Sequence, residues 1–286
     1  MAINGFGNLE RVLKLDVVRG ISLKDRVISA TPFSGDCVLV VEAPGELVTY
    51  RGARETKRIP FSGGICDVKR AFRSDIIYVA TEDVLIEMDG DSPVRRLHVN
   101  RDIKGIYVED EDNIYVWVEN VPGGHKTTIL HIRDMGLVDR FTSHADIEAF
   151  GVGKDLWYGV YEEKLYCVSK NSSAHNTLNF DNGIRFLLST PLGTLYVGDF
   201  ADNLHVVKAG RKVFTHTFWG YISSYCYGDD HNLYLVLGGR ELVIIGGEDG
   251  KIIGTALFHG RDASNSNVDA ISGIGLGKSI TNPCIY

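Results

Sequence analysis

The sequence predicts an all-β fold built from a repeated four-stranded unit, on three observations. Runs that pair aliphatic residues with an aromatic recur at regular intervals, and the two chain ends together complete one repeat. The composition of 32 Gly, 13 Tyr and 12 Phe against 3 Met is typical of strands and tight turns.

The aromatic runs indicate the second strand of each repeat. Each run follows one short β-rich segment and precedes two more, so the unit has four strands joined by tight turns. The runs are Ile76–Val79, Ile114–Trp117, Leu156–Tyr158, Leu195–Val197 and Leu233–Val236.

The period of the repeat predicts the architecture. An isoleucine expected to open the first strand recurs at Ile28, Ile65, Ile103, Ile147, Ile184, Ile222 and Ile271. By subtraction the spacings are 37, 38, 44, 37, 38 and 49 residues, and the two chain ends together make a seventh interval of 43. About 40–50 residues is the length of a four-stranded propeller blade. The sequence therefore predicts a seven-bladed β-propeller.

The chain ends predict how the ring closes. Residues 269–277 and 278–286 have the pattern of the first two strands of a blade, and residues 1–8 and 9–16 that of the last two. Residues 1–286 are thus expected to form a single propeller domain, with 1–16 and 269–286 together making the closing blade. The rival folds, a β-sandwich or two smaller β domains, do not account for this cyclic completion.

Two segments resemble those of known propellers. The run Tyr78–Thr81 and the turn Gly246–Lys251 are similar to those of YVTN and quinoprotein-like propellers, within a WD40-like architecture. The blades lack the Gly-His and Trp-Asp pairs of WD40 repeats, the repeated double glycine of kelch repeats and the Asp-box of sialidases. The resemblance therefore implies the fold and no particular activity.

Charge and composition narrow the function classes. A net charge of −7 argues against general nucleic-acid binding, and no stretch approaches the length of apolar sequence that spans a membrane. The five cysteines form no Cys-x-x-Cys pair, and no export leader is evident at the N-terminus. We therefore expect a cytoplasmic protein without a membrane span.

No motif carries an unambiguous chemistry. Ser272–Ser279 nearly matches a phosphate-binding loop, but serine occupies the position of its first glycine. The histidines have no metal-ligand spacing, and no nucleophile, base and acid can be grouped. The sequence thus predicts no catalytic residue, no cofactor and no metal, and it favours a protein that is not an enzyme.

The loops that join one blade to the next are expected to share a face and to form the binding surface. The interaction-face residues are Arg101, His144, Trp219, Tyr221, His259, Arg261 and Asp262. An alternative is that Phe218 and Tyr221 end strands and pack in the core, which would leave only Trp219 available.

Basic residues fall on the predicted outer strands of three adjacent blades, the first of which carries Arg11 and Lys14. The basic rim residues are Arg54, Lys57, Arg58, Arg95 and Arg96. They could bind an acidic protein or a phosphate backbone. The favoured interpretation is that these charges prevent exposed edge strands from pairing with other chains.

Three functions follow. The preferred one is a non-catalytic protein-interaction scaffold within a larger assembly, with one or more protein partners bound on the propeller face and rim. The first alternative is an enzyme, or a small-ligand or metal-binding propeller, with its site at the central channel and His144, His259, Asp146 and Asp262 as candidates. The second is a nucleic-acid-associated factor that uses the basic rim.

Overall fold

A computed structural model gives the fold over most of the chain. The residues it describes are 27–32, 37–42, 45–51, 54–71, 74–119, 127–143, 147–170, 175–228, 230–238, 241–247, 249–257, 274–275 and 284–285. Every regular element in this part of the chain is a β-strand. None of the described residues forms a helix that could span a membrane.

The chain divides into two compact units, whose described residues run from Val27 to Thr217 and from Phe218 to Ile285. The first unit contains five antiparallel four-stranded sheets. Their strands are β1 (Val27–Pro32), β2 (Cys37–Glu42), β3 (Glu46–Arg51) and β4 (Arg54–Pro60); β5 (Ile65–Arg70), β6 (Ile76–Thr81), β7 (Val84–Asp89) and β8 (Ser92–His98); β9 (Ile103–Val108), β10 (Asn113–Glu119), β11 (Thr127–Arg133) and β12 (Gly136–Thr142); β13 (Ala149–Val152), β14 (Leu156–Tyr161), β15 (Lys164–Ser169) and β16 (His175–Asn179); and β17 (Ile184–Ser189), β18 (Thr194–Asp199), β19 (Asn203–Lys208) and β20 (Arg211–Thr217).

The second unit contains one more four-stranded sheet and one pair of very short strands. The sheet consists of β21 (Ile222–Tyr227), β22 (Asn232–Leu237), β23 (Glu241–Gly246) and β24 (Ile252–Leu257). The pair consists of β25 (Ile274–Gly275) and β26 (Cys284–Ile285), which are antiparallel, and β25 contacts β21 and β22.

The prediction of seven four-stranded blades is wrong for the described residues, which form six four-stranded sheets. At the position of the seventh, β25 and β26 confirm that the two C-terminal segments pair, but each strand has only two residues. Glycine recurs at every second position from 273 to 277, and glycine supplies no side chain to stabilise a strand. Residues 1–16, predicted to complete this blade, lie outside the described residues.

Within each four-stranded sheet the strands follow chain order, so each sheet is a meander. In the first unit β1, β5, β9, β13 and β17 contact one another in succession, and we call these first strands the inner strands. The fourth strands are the outer strands. Most second and third strands carry runs of buried apolar residues, as in β6, β18 and β22, whereas β8, β12 and β20 are exposed along almost their whole length.

The meander gives each sheet two distinct ends. The linking end carries the turn between the second and third strands and the connection to the next sheet. The hairpin end carries the turns that join the first strand to the second and the third to the fourth. Of the residues predicted to form the interaction face, Arg101, Trp219 and Tyr221 lie in described connections at linking ends.

The outer strands share an irregularity that protects their edges. In five of the six, the pairing with the third strand shifts register by one residue, and the extra residues are Thr56, Val94, Val138, Val213 and Ile253. β16 pairs regularly. On this strand the Thr177 N–H donates to the Asn176 Oδ1 atom, 2.8 Å away, and so already has a partner. Bulges twist an edge away from an incoming strand. This supports the edge-protection interpretation of the outer strands.

Two glycines make room for large rings on the neighbouring strand. Gly105 of β9 lies opposite Trp117 of β10, and Gly198 of β18 lies opposite Phe186 of β17. A β-carbon on Gly105 would lie 2.2 Å from the Trp117 ring, and one on Gly198 would lie 2.0 Å from the Phe186 ring. The rings therefore occupy the space that a side chain at either glycine would need.

Candidate functional site: interaction surfaces of the linking ends and the outer strands

Trp219 and Tyr221 lie in the connection that precedes β21. The Trp219 side chain is fully exposed and Tyr221 is 48% exposed, while Phe218 is half-buried. The Gly238 N–H donates to the Tyr221 carbonyl over 2.8 Å, which ties the connection to the end of β22. Both aromatics therefore remain available at the surface, and the alternative that Tyr221 packs in the core is not what the structure shows.

The other predicted interaction-face residues are only partly covered by the structure. Arg101 is exposed in the connection between β8 and β9, within the first unit, whereas Trp219 and Tyr221 belong to the second. His144, His259, Arg261 and Asp262 lie outside the described residues, as does Asp146. A shared face formed by all these residues stays a prediction.

The basic rim residues do lie on outer strands, in β4 and β8, and three of the five are engaged in ion pairs. Lys57 of β4 binds Asp91, in the turn between β7 and β8, over 3.1 Å. Arg95 of β8 binds Asp134, in the turn between β11 and β12. Each pair joins one sheet to the next, and each cation directly follows the extra residue of its strand. These two rim cations thus connect neighbouring sheets.

Arg58 is the centre of the densest charge cluster at the rim. Its guanidinium binds Glu55 with two hydrogen bonds of 2.9 and 3.0 Å, reaches the completely buried Glu42 over 2.8 Å, and also contacts Glu46. The Tyr50 hydroxyl donates to Glu42 over 3.0 Å. Burial and the neighbouring Glu42 carboxylate raise the pKa of Tyr50 to about 12, so Tyr50 stays a neutral donor.

These ion pairs reduce the positive potential of the rim. Arg58 contacts three carboxylates, and Arg95 contacts both Glu87 and Asp134. Arg54 and Arg96 are exposed and form no ion pair within the described part of the chain. A phosphate backbone would therefore meet two unneutralised guanidiniums rather than a continuous basic stripe.

A network of hydrogen-bonded polar side chains, which the sequence analysis did not predict, runs through the sheet formed by β17 to β20. The Asp199 carboxylate, 2% exposed, accepts hydrogen bonds from the backbone N–H groups of Ala201 and Asn203 and from the Asn203 amide, at 2.7 to 2.9 Å. It also accepts from Asn182, across the connection between β16 and β17, over 3.2 Å. Asp199 thus holds the turn 199–203 and ties it to the neighbouring connection.

The hydrogen-bond network continues from Asp199 through His205 to Thr215, on the outer strand β20. His205 Nε2 lies 3.2 Å from Asp199 Oδ2, and Nδ1 lies 2.9 Å from the Thr215 hydroxyl. An ionised carboxylate can only accept, so Nε2–H donates to Asp199 and Thr215 donates to Nδ1. The imidazole ring also packs edge-on against Phe180, with centroids 4.9 Å apart. Both ring nitrogens are satisfied, which accounts for a buried histidine.

The pKa shifts agree with this arrangement. Burial lowers the pKa of His205 and outweighs the opposing effect of Asp199, so the imidazole is neutral near pH 7. Burial alone would raise the pKa of Asp199, but hydrogen bonds from Asn203, Asn182 and His205 leave it below the ordinary value.

The His205 shift predicts a pH-dependent stability. Since the pKa is lower in the folded protein than in the unfolded chain, the unfolded chain takes up a proton first as the pH falls below about 6.5. Stability should therefore fall from pH 7.5 to pH 5, and His205→Gln should make that fall smaller. Urea unfolding at both pH values measures the difference, with His175→Gln, an exposed histidine of β16, as the control. An equal pH dependence in wild type and His205→Gln would contradict the assignment.

Three loops at linking ends meet around one exposed aromatic residue. A β-carbon on Gly183 would lie 3.2 Å from the Glu163 carboxylate and 3.3 Å from the Phe200 ring, so these groups surround Gly183. Phe200 is 66% exposed. Glu163, its neighbour Glu162, and Asp181, two residues before Gly183, are exposed as well. We call Glu162, Glu163, Asp181, Gly183 and Phe200 the Phe200 patch. The sequence analysis missed it, although a phenylalanine within a polar turn such as Asp199–Asp202 is an available signal.

The described residues offer no metal centre. They contain no group of three or more His, Cys, Asp or Glu side chains placed to hold an ion. Cys66, Cys167 and Cys226 are free thiols.

Comparison with solved structures identifies the architecture. The chain is similar to the β-propeller domain of Cps50 (Swd1) from Myceliophteria thermophila, with a TM-score of 0.63, 10% identity, and coverage of 91% of this chain and 92% of that one. It is also similar to BBS1N in complex with ARL6DN, with a TM-score of 0.65, 12% identity, and coverage of 94% and 89%. The fold is a β-propeller. Hsv2 from Kluyveromyces lactis has the same fold, with a TM-score of 0.57, 10% identity and coverage of 88% and 86%. No family model and no curated protein sequence matches the chain.

The four-stranded sheets are therefore propeller blades. The Lys57–Asp91 and Arg95–Asp134 pairs are contacts between blades. The Phe200 patch combines loops of two adjacent blades with the connection between them. At these identities the likeness shows the fold alone.

Proposed function

We propose that this chain is a non-catalytic protein-interaction scaffold within a larger assembly, which binds its partner through the propeller face and rim. The observation that carries the proposal is Trp219, a fully exposed indole in a connection between strands. In this proposal residues 1–286 act as one propeller domain in the cytoplasm.

The physical reason is that an exposed indole gains free energy when a partner covers it. Aromatic side chains bury about 150–250 Å² each and, with arginine, dominate the energetic centres of protein interfaces. Tyr221 lies two residues away, and Arg101 provides an exposed guanidinium at another linking end. We expect His144, His259, Arg261 and Asp262 to contribute to the same face.

The structural neighbours support this proposal by analogy. BBS1N, which has the same fold, was solved in complex with ARL6DN. A propeller offers rigid loops at its linking ends, and rigid loops lose little conformational entropy when a partner binds.

The proposal predicts that Trp219→Ala separates the chain from its partner. The tagged chain is purified from its native source at low and high salt, and the proteins that accompany it are identified and quantified by mass spectrometry. A stoichiometric protein that survives high salt with wild type should be reduced about tenfold or more by Trp219→Ala, as for an interface hot spot. Leu192→Ala, an exposed apolar residue at a hairpin end, is the control and should retain the partner.

Two results would contradict the proposal. One is a chain that purifies alone and monomeric at both salt concentrations. The other is a partner that both variants retain equally, which would remove Trp219 from the interface.

A further inference from the structure

The Phe200 patch has the features of a docking surface rather than of a solvated loop. Its central ring is 66% exposed, which leaves most of an apolar side chain in water. A scattered exposed aromatic is ordinary, but the turn that carries this ring is held by hydrogen bonds to its backbone. Asp199 holds the turn that carries Phe200, and Asn182 links that turn to the loop containing Gly183.

The loops around Phe200 are also held in restricted conformations. Gly183 has a φ of +69°, and a side chain there would meet both Glu163 and Phe200. Glu162 and Glu163 have φ values of +47° and +63°, in a two-residue turn where asparagine and glycine are the favoured residues. The backbone that carries Glu162, Glu163 and Gly183 is therefore held in conformations that few residues adopt.

The charge of the surrounding surface selects the kind of partner. Among the described linking-end loops of the first unit, the exposed carboxylates are Glu82, Asp83, Asp102, Glu148, Glu162, Glu163 and Asp181. The exposed cation in those described loops is Arg101, against seven exposed carboxylates. In the adjoining strands, Lys104 and Arg185 are paired with Glu119 and Asp202, and the exposed Lys164 directly follows Glu163. This end of the blades is thus acidic, and it disfavours acidic peptides and nucleic acid.

A cationic side chain is the group that matches both features of the patch. The face of an aromatic ring attracts an ammonium or guanidinium electrostatically, and neighbouring carboxylates add Coulombic attraction. An uncharged apolar partner would cover the ring but would also desolvate the carboxylates of Glu162, Glu163 and Asp181 without compensation. A basic segment avoids this cost.

We propose that the Phe200 patch binds a lysine- and arginine-rich segment of the protein partner. The inference rests on the proposed scaffold function and names the chemistry of what is bound. A Lys or Arg side chain lies over the Phe200 ring, and Glu162, Glu163 and Asp181 pair with that cation and its neighbours.

The test uses the full chain and a fluorescently labelled synthetic peptide of alternating arginine and serine, with an aspartate–serine peptide as the opposite-charge probe. Binding is measured by fluorescence anisotropy at low ionic strength and again at physiological ionic strength. Phe200→Leu keeps an apolar residue but removes the ring, and it should weaken binding by about 3–30-fold. Glu162→Lys combined with Glu163→Lys should weaken it by a larger factor.

A matched control separates docking at the patch from general attraction to an acidic protein. Glu111→Lys combined with Asp112→Lys makes the same charge change at a hairpin end, in an exposed turn between β9 and β10. At physiological ionic strength this variant should keep the wild-type affinity within about twofold, since exposed charges beyond a Debye length of about 8 Å are largely screened there.

The outcomes distinguish this inference from the scaffold proposal. If the native partner is retained through Trp219 but the arginine peptide does not bind, or binds all variants equally, the inference is overturned and the scaffold proposal stands. Equal binding of the aspartate peptide also overturns it. If no native partner exists while the arginine peptide binds through the patch, the scaffold proposal fails instead.

Discussion

Replacement of Arg58 by methionine is expected to lower the melting temperature by on the order of 10 °C. Arg58 is the counter-charge of Glu42, whose side chain is completely buried at the end of β2. Methionine keeps the apolar length of the side chain but leaves that carboxylate in the sheet beside Tyr50 without its cation. Removing one partner of a buried ion pair is strongly destabilising, because the remaining charge has lost its compensation. Thermal unfolding followed by circular dichroism measures the shift.

Two further variants make the Arg58 prediction specific. Arg96→Met removes an exposed guanidinium from the corresponding outer strand of the next blade, and it should change the melting temperature by about 1 °C or less. Adding Glu42→Leu to Arg58→Met should recover much of the loss, because the uncompensated charge is then gone. If the double variant is no more stable than Arg58→Met, the buried charge is not the cause.

A valine at Gly198 is expected to cost about 3 kcal/mol of the free energy of unfolding. Gly198 lies opposite Phe186, and the ring occupies the position of its missing β-carbon at 2.0 Å. Phe186 is itself buried, so its ring cannot move into solvent without losing its own packing. Overpacking of this kind typically costs about 1–3 kcal/mol, and the β-branch of valine places this change at the upper end. Urea unfolding gives the value.

Gly136→Val is the control for the general effect of replacing a strand glycine by valine. Gly136 is exposed at the start of β12, and a β-carbon there would meet only the Arg133 carbonyl at 3.4 Å. Its cost should be below about 1 kcal/mol. Removing the aromatic ring with Phe186→Ala in the Gly198→Val background should restore part of the lost free energy of unfolding. Comparable costs at Gly198 and Gly136 would show that the Phe186 ring does not restrict the site.

The strand pattern was predictable because it depends on local chemistry. The aromatic runs from Ile76–Val79 to Leu233–Val236 are the second strands β6, β10, β14, β18 and β22, as predicted. Ile65, Ile103, Ile184 and Ile222 open β5, β9, β17 and β21. Ile28 is the second residue of β1, and Ile147 precedes β13 by two residues. Apolar periodicity and turn residues determine these positions within a few residues.

The number of blades was less predictable because it depends on pairing between distant segments. The repeat length indicates a seventh blade, but the strength of a strand depends on the side chains that it can pack. β25 and β26, two residues each, form from a glycine-rich stretch and its neighbour. The repeat length shows that the chain is long enough for a seventh blade. Whether that blade forms depends on side chains that can pack between its strands.

The interaction surfaces likewise include features that the sequence predicts and contacts that depend on the packing of the blades. Trp219 was expected to stay available because it lies in a loop between blades, and its side chain is fully exposed. The basic rim residues lie on β4 and β8, and the partners of Lys57 and Arg95 come from the next blade and could not be paired from sequence. The Phe200 patch brings together residues of two blades and a connection, with Glu163 and Phe200 37 positions apart.

By itself, the sequence determined the all-β class, the four-stranded repeat and the exposed aromatic loop, because each of these depends on residues close together in the chain. Only the tertiary structure decided which charges are neutralised, how Asp199 and His205 support the turn that presents Phe200, and how many blades the described residues complete. These features depend on distances between residues of different strands and blades. Such distances are set by how the sheets pack, and a linear pattern of residue types does not contain them.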